Sequence, residues 1–167
     1  MKESKEKVMN KCTNNCNNCN NACYNSCPIC SMKGKSVPII TLKHKIIKNQ
    51  ELIMDEKSYI CINRNCDVVY FQETNPKYFL KDEIEDEVWF KTKGENQIIC
   101  YCHKILLKDI VNIVKASNQE VLTKNKILEL LKVDGNHDCI KHNPVGEVCD
   151  RLFQNAIIYA YKQKENK

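Results

Sequence analysis

Cysteine is the residue type that most limits how this chain can fold. Twelve cysteines occur in 167 residues, and most of them stand within five residues of another. No apolar run reaches the roughly 20 residues needed to span a bilayer, and no hydrophobic segment of a signal peptide follows residues 1–11. We therefore expect a cytoplasmic protein, in which clustered thiols are metal ligands more often than disulfides.

The composition predicts a thin hydrophobic core. Hydrophobic residues make up 43% of the chain, but aromatic residues only 7%. The length allows one ordinary domain or two small ones, and modules of roughly 60 residues bury too little surface to fold without a cross-link or a metal. The net charge of +5 is spread along the chain, so it does not argue for nucleic acid.

Sequence patterns divide the chain into three parts. Residues 1–26 are rich in asparagine and cysteine, and we expect a disordered tail there unless a metal orders it. Residues 27–93 form a predicted zinc-binding module. Residues 97–162 form a second, helical module, and Gly94 marks the turn between the two.

Residue patterns within the modules predict several elements. Strand-forming residues at 58–71 surround a turn at 63–65 and predict a β-hairpin, with 88–90 as a candidate third strand. In the second module, apolar residues at helical spacing predict helices at 105–114, 127–131 and 152–160. Gly135 is expected to end the second of these helices.

Four cysteines of the first module have the spacing of a zinc site. This first quartet comprises Cys27, Cys30, Cys61 and Cys66. Two short turns can each supply two thiolates, which completes the tetrahedral coordination that Zn²⁺ prefers and joins two distant pieces of chain. The alternatives are small buried apolar cysteines and a redox CxxC motif. The redox motif would need a strand before it and a helix after it.

Four cysteines of the second module suit an iron–sulfur cluster. This second quartet comprises Cys100, Cys102, Cys139 and Cys149. A [2Fe–2S] cluster takes four thiolates, and the close CxC pair is suited to one edge of it. The spacing alone leaves zinc as an alternative. Three lysines near these cysteines could offset the negative charge of a cluster, or lie on a solvated helix face: Lys104, Lys108 and Lys141.

Longer motifs around both quartets resemble a known family. The most specific is the string Cys66-Asp67-Val68-Val69-Tyr70-Phe71. The others in the first module are Cys27-Pro28-Ile29-Cys30, Gly34-Lys35, Val37-Pro38 and Thr41-Leu42-Lys43-His44. The second module has Cys100-Tyr101-Cys102, Asp109-Ile110 and Asn143-Pro144-x-Gly146-x-x-Cys149. Together they resemble the N-terminal domain of CopZ-type copper chaperones, over about residues 27–155.

The resemblance has several implications. The second half is similar to bacterioferritin-associated ferredoxin, a helical [2Fe–2S] fold. The resemblance implies zinc at the first quartet, a [2Fe–2S] cluster at the second, redox activity and a link to copper handling. No cysteine follows Cys149, so the expectation does not include the MxCxxC copper-binding domain of those chaperones.

The remaining cysteines and the histidines are open candidates. The four tail cysteines (Cys12, Cys16, Cys19 and Cys23) are spaced so that they would line one face of a helix. They could capture Cu(I), zinc or a cluster, exchange disulfides, or belong to a tail without a function of its own. The histidines could ligate a metal or act as bases, or lie at the surface: His44, His103, His137 and His142.

Together these observations predict an α+β chain. A treble-clef or ribbon-like zinc module would join a small helical [2Fe–2S] module. The expected function is that of an accessory protein for electron transfer or metal handling, not an enzyme, with an unidentified redox or metal-transfer partner. The alternative is a zinc-stabilised interaction module in which both metal sites are structural.

Overall fold

The computed structural model describes residues 25–75, 77–118, 121–133 and 137–165. The four tail cysteines lie outside these residues, as does Gly135, where we expected a helix to end. The described chain is α+β, with two small antiparallel sheets and five α-helices. No helix among the described residues is long and apolar enough to cross a bilayer.

A four-stranded antiparallel sheet occupies the first half of the chain. Its strands follow the chain order β1 (Lys35–Val37), β2 (Ser58–Ile60), β3 (Val68–Gln72) and β4 (Tyr78–Leu80). The predicted hairpin is confirmed, since β2 and β3 pair with Tyr59 opposite Phe71. Their β-branched and aromatic residues suit this pleated, buried surface.

The expected third strand at 88–90 is wrong. A 3₁₀ turn covers Trp89–Lys91 instead, and β4 is the strand that pairs with the far edge of β3. The apolar side chains at 88–90 mimic a strand because Val88, Trp89 and Phe90 all pack against the core of the first half. Burial of a short segment does not by itself distinguish a strand from a turn.

The second half is mainly helical. The two-residue strand β6 (Ile105–Leu106) pairs with β5 (Ile98–Cys100) and leads directly into the helix that begins at Leu107. The chain also forms 3₁₀ turns at Gln50–Leu52, Lys81–Glu83 and Gly94–Asn96. The helices are α1 (Ile39–Lys45) in the first half, then α2 (Leu107–Ala116), α3 (Lys124–Leu130), α4 (Cys139–His142) and α5 (Asp150–Glu165).

Helix α2 packs against α5 to make the core of the second half. On α2, Ile110, Val111 and Val114 are fully buried on one helical face. On α5, Phe153 and Ala160 are fully buried and face them. Cys100 and Cys149 belong to the same core cluster, so the second quartet adjoins packed helices.

Strand β3 serves two cores in the first half. Its register shifts between Val68 and Tyr70, and the consecutive residues Val69 and Tyr70 both enter the main core of this half. Val68 and Phe71 enter a smaller core that also contains Cys27, Cys61 and Cys66. The bulge therefore lets one strand serve the hydrophobic core and the first quartet together.

The two halves are packed against each other across the predicted boundary. Val145, between α4 and α5, is buried in the core of the first half. The Tyr70 hydroxyl donates to the Pro144 carbonyl at 2.7 Å, and the Thr41 hydroxyl donates to the Ile140 carbonyl at 2.6 Å. The segment between Cys139 and Cys149 is therefore held by the first half.

Candidate metal centres

The thiols of the first quartet converge on one point. Their four sulfur atoms lie within 4.8 Å of one another. The Cys27 and Cys66 sulfurs are 3.9 Å apart, and the Cys30 and Cys61 sulfurs are 3.6 Å apart. A tetrahedral zinc with Zn–S bonds of about 2.3 Å requires sulfur separations of about 3.8 Å. The separations of 3.9 and 3.6 Å lie close to this value, so the quartet suits a tetrahedral Zn²⁺.

Two local turns position these thiols. In the first turn, the Ser31 N–H donates to the Cys27 carbonyl at 2.8 Å, and Ser31 adopts a left-handed φ of 59°. In the second, the Asn65 N–H donates to the Asn63 side-chain oxygen at 3.0 Å, and the Cys66 N–H donates to the Asn63 carbonyl at 3.2 Å. The hairpin β2–β3 carries this second turn at its tip.

Burial and hydrogen bonding shift the thiol pKa values of the first quartet in opposite directions. Burial raises the pKa values of Cys27 and Cys61. Burial also acts to raise the pKa of Cys30, but hydrogen bonds from the Met32 backbone and the Asn63 side chain outweigh it and lower that pKa to about 6. Zinc binding must therefore displace protons from Cys27 and Cys61.

Lys91 places a positive charge beside the first quartet. Its ammonium donates to the Asn63 carbonyl at 2.6 Å and to the Cys66 carbonyl at 3.0 Å. Burial lowers the pKa of Lys91, while the thiols of Cys61 and Cys66 act in the opposite direction. Four thiolates around Zn²⁺ leave a net charge of about −2, and Lys91 offsets part of it. The cysteine spacing in the sequence does not point to Lys91.

The thiols of the second quartet lie near one another. Cys149 acts on the pKa of Cys100, and both Cys100 and Cys139 act on the pKa of Cys149. Cys139 also acts on the pKa of Cys102. Among the described residues, only the first quartet meets the 4.8 Å criterion for all its ligand atoms. The second quartet is thus brought together, but over a wider space.

The second quartet also has an uneven proton distribution. The hydrogen bond to Cys149 lowers the pKa of Cys100, and the same bond raises the pKa of Cys149. Burial raises the pKa of Cys102. Cys100 is therefore a more acidic thiol than Cys149.

Comparison with known proteins extends these observations. Residues 24–85 match a CopZ-type family described as a zinc binding domain. The match contains all four cysteines of the first quartet. The chain resembles a CopZ-type zinc-binding domain. Zinc is accordingly the metal that both the family match and the thiol geometry support.

Two individual relatives are similar over more of the chain. The copper chaperone CopZ of Archaeoglobus fulgidus is 28% identical over 123 residues, which cover 74% of this chain and 57% of that protein. The X-ray structure of the CopZ N-terminal domain from the same organism matches with a TM-score of 0.60 and 26% identity. It covers 78% of this chain and 95% of that domain, so the likeness extends well beyond residues 24–85.

Tyr101, between the two cysteines of the CxC motif, anchors this part of the CopZ-like fold. Its buried hydroxyl donates to the Glu87 carbonyl at 2.8 Å and accepts from the Trp89 N–H at 2.9 Å. The Lys45 ammonium lies 5.7 Å from the centre of its ring. The CxC turn is therefore fixed against the last segment of the first half.

A buried ion-pair network supports the same anchor. Lys45 is 1% exposed, and its ammonium contacts Asp86 at 2.6 Å and Glu85 at 2.8 Å. Asp86 also pairs with Lys104 at 2.6 Å. Burial acts to raise the pKa of Asp86, but hydrogen bonds from Lys104 and Lys45 hold it below its usual value. The network therefore links α1, the 84–89 segment and the CxC turn.

Lys124 is the cation that faces the second quartet most directly. Burial acts to lower the pKa of Lys124. The hydrogen bond to Asp150 and the nearby thiols of Cys149 and Cys139 outweigh burial and raise that pKa. Of the lysines expected near these cysteines, Lys104 pairs with Asp86, Lys141 pairs with Asp138, and Lys108 is exposed. Lys124 was missed because it is 15 residues from the nearest cysteine in sequence.

Proposed function

We propose that this chain is a zinc-stabilised [2Fe–2S] protein that acts as an accessory in electron transfer or metal handling, rather than as an enzyme. Zinc is assigned to the first quartet and the cluster to the second. The second half would then be a helical module of the bacterioferritin-associated ferredoxin type. The name of the Archaeoglobus relative supports copper as one metal to be handled, with a metal-transfer protein as the partner.

The wider spacing of the second quartet is the observation that supports a cluster most strongly. A single ion needs its four donors within one tetrahedron, as in the first quartet. A [2Fe–2S] cluster has two irons, each of which takes two cysteine sulfurs. The second quartet brings four thiols near one another over a wider space than the first quartet does, and this fits two irons better than one zinc.

The surroundings of the second quartet suit an electron carrier. A bound cluster would supply a one-electron redox centre. Cys100 and Cys149 are buried, whereas Cys102 and Cys139 are partly exposed, so one side of the quartet is shielded and the other faces the surface. Lys124 partly neutralises the negative charge of four thiolates, which raises the potential of any centre held there.

Metal analysis of protein purified without oxygen tests the assignment. We expect about two irons, two sulfides and one zinc per chain, with visible absorption that bleaches on one-electron reduction. A colourless protein with two zincs would replace the proposal with a zinc-stabilised interaction module. The serine variants Cys100→Ser and Cys149→Ser should lose iron and retain zinc, whereas Cys16→Ser in the tail serves as the matched control.

Copper handling needs a separate experiment. The four tail cysteines are donors of the kind that Cu(I) prefers. We expect Cu(I) titration of the full chain to show a higher capacity than titration of the full chain with serine at those four positions. Equal capacity and affinity in the two proteins would remove the tail from the proposal and leave the two quartets unaffected.

A further inference from the structure

Two histidines that neither quartet uses lie side by side. The Nε2 atom of His103 is 3.0 Å from the Nδ1 atom of His137. Their rings are nearly perpendicular, at 83°, with centroids 4.9 Å apart. His103 is half-buried and His137 is exposed, so solvent and dissolved ions reach the pair.

The fold brings these histidines together from distant positions. They are 34 residues apart in sequence. His103 directly follows Cys102, and His137 stands two residues before Cys139. Because Cys102 and Cys139 are themselves in contact, the histidine pair lies at the junction of the two segments that form the second quartet.

Ion pairs brace both of these segments. Lys104, next to His103, adopts a left-handed φ of 53° and is held by Asp86 at 2.6 Å. Asp138, next to His137, pairs with Lys141 at 2.6 Å. Two imidazoles on braced segments lose less conformational freedom on binding a common ligand than two mobile side chains would.

We propose that His103 and His137 form a surface site for a divalent transition-metal ion, with water completing the coordination. Imidazole nitrogen is a preferred donor for zinc, nickel and copper. With metal–nitrogen bonds of about 2.0–2.1 Å, tetrahedral geometry places two donor nitrogens about 3.3 Å apart. Side-chain rotations that turn both nitrogens toward one point and open the 3.0 Å separation by a few tenths of an ångström would achieve this.

The charge of the neighbouring quartet favours a cation at this site. Four thiolates leave a net charge of about −2 whether they hold one zinc or two ferric irons with their two bridging sulfides. The site therefore does not depend on which metal occupies the second quartet. A divalent ion bound by His103 and His137 would be an exchangeable metal next to the second quartet, because these histidines lie within two residues of Cys102 and Cys139.

Calorimetric titration with Ni²⁺ under anaerobic conditions tests the site, because Ni²⁺ binds imidazole without oxidising thiols. The protein is the full chain with its native metals and with serine at the four tail cysteines, which removes competing thiols. The variants are His103→Asn, His137→Asn and the double variant, with His44→Asn as the control for an exposed histidine on α1. Zinc and iron contents are measured before and after each titration.

A two-histidine chelate makes a specific prediction for this set. Each single variant should weaken Ni²⁺ binding by about tenfold or more, because the second donor acts at high effective concentration. The double variant should bind only slightly more weakly than either single variant, because each single variant has already lost the chelate, and His44→Asn should match the parent. If one single variant loses its native metals, the other single variant alone still tests the site, because removing either histidine should destroy the chelate.

Three results would overturn the proposal. The first is parental Ni²⁺ affinity in a variant with intact metal content. The second is independent, additive losses from His103→Asn and His137→Asn, which would indicate two separate surface histidines. The third is an equal loss in His44→Asn.

Discussion

Replacing Tyr70 by phenylalanine should loosen the segment that holds half of the second quartet. Tyr70 is fully buried in β3, and its hydroxyl donates to the Pro144 carbonyl at 2.7 Å. Burial raises the pKa of Tyr70 well above its usual value, which favours the protonated hydroxyl as the hydrogen-bond donor. Pro144 lies between Cys139 and Cys149, which gives the bond its structural importance.

The expected loss of stability follows from the Pro144 carbonyl, which no longer has a hydrogen-bond donor in the variant. Phenylalanine fills nearly the same space, so Tyr70→Phe creates no cavity, but the buried Pro144 carbonyl loses its donor. Leaving a buried acceptor unsatisfied costs about 1–3 kcal/mol. With an m-value of about 2 kcal/mol/M in urea, the unfolding midpoint should fall by about 0.5–1.5 M.

Equilibrium urea unfolding and metal release together form the assay. We expect Tyr70→Phe to lower the unfolding midpoint and to speed metal loss from the second quartet to a competing chelator. The control is Tyr78→Phe, which removes a hydroxyl from a residue that is 36% exposed and should change the free energy of unfolding by less than about 0.5 kcal/mol. If the two variants match in midpoint and in release rate, the reasoning is refuted.

Thr41→Val extends the same test to the other end of the segment. The Thr41 hydroxyl is buried and donates to the Ile140 carbonyl at 2.6 Å. If both hydroxyls act on one braced segment, Tyr70→Phe and Thr41→Val should be non-additive in metal release. Strict additivity would show that the two bonds act on independent parts of the chain.

Three further predictions concern charge, backbone and pH. Asp86→Asn should destabilise the protein by about 3 kcal/mol in urea unfolding, because it leaves the buried Lys45 ammonium poorly compensated. As a control, Asp82→Asn removes an exposed ion pair with Lys48 and should cost less than about 1 kcal/mol. Gly146→Ala should destabilise the protein by about 1–3 kcal/mol more than Gly94→Ala in the same assay. Both glycines have a positive φ, but only at Gly146 would an added Cβ lie 2.5 Å from Pro38. Zinc affinity of the first quartet, measured by chelator competition, should fall at least about 100-fold per pH unit between pH 8 and pH 7, because two buried thiols with raised pKa values must each release a proton. A pH-independent affinity would contradict this expectation.

Local chemistry explains what the sequence made predictable. The hairpin at 58–71 was recognisable because strand-forming residues flank a short polar turn, and the cysteines on either side of that turn must approach one another once the strands pair. The pairs Cys27–Cys30 and Cys61–Cys66 could thus be proposed as one quartet without knowledge of the fold. For the second quartet, spacing alone did not distinguish zinc from a cluster.

Long-range contacts explain what the sequence left out. Helix α4 has four residues, too few to show a helical period, and it forms where Thr41 can bond the Ile140 carbonyl. Lys45 would ordinarily be assigned to the surface, yet it is buried because Asp86 and Glu85 reach it from a segment 40 residues away. Such partners become identifiable only after the chain has folded.

Packing between the halves makes zinc binding relevant to the second quartet. Structural zinc contributes about 10–16 kcal/mol in small zinc-finger peptides, which is comparable to the whole folding free energy of an ordinary domain. The first half supplies the core that receives Val145 and the backbone groups that hold Tyr101. If that half unfolds when zinc is removed, the CxC turn and the segment between Cys139 and Cys149 both lose the contacts that hold them. Zinc at the first quartet is then a condition for the geometry of the second, although the two sites share no ligand.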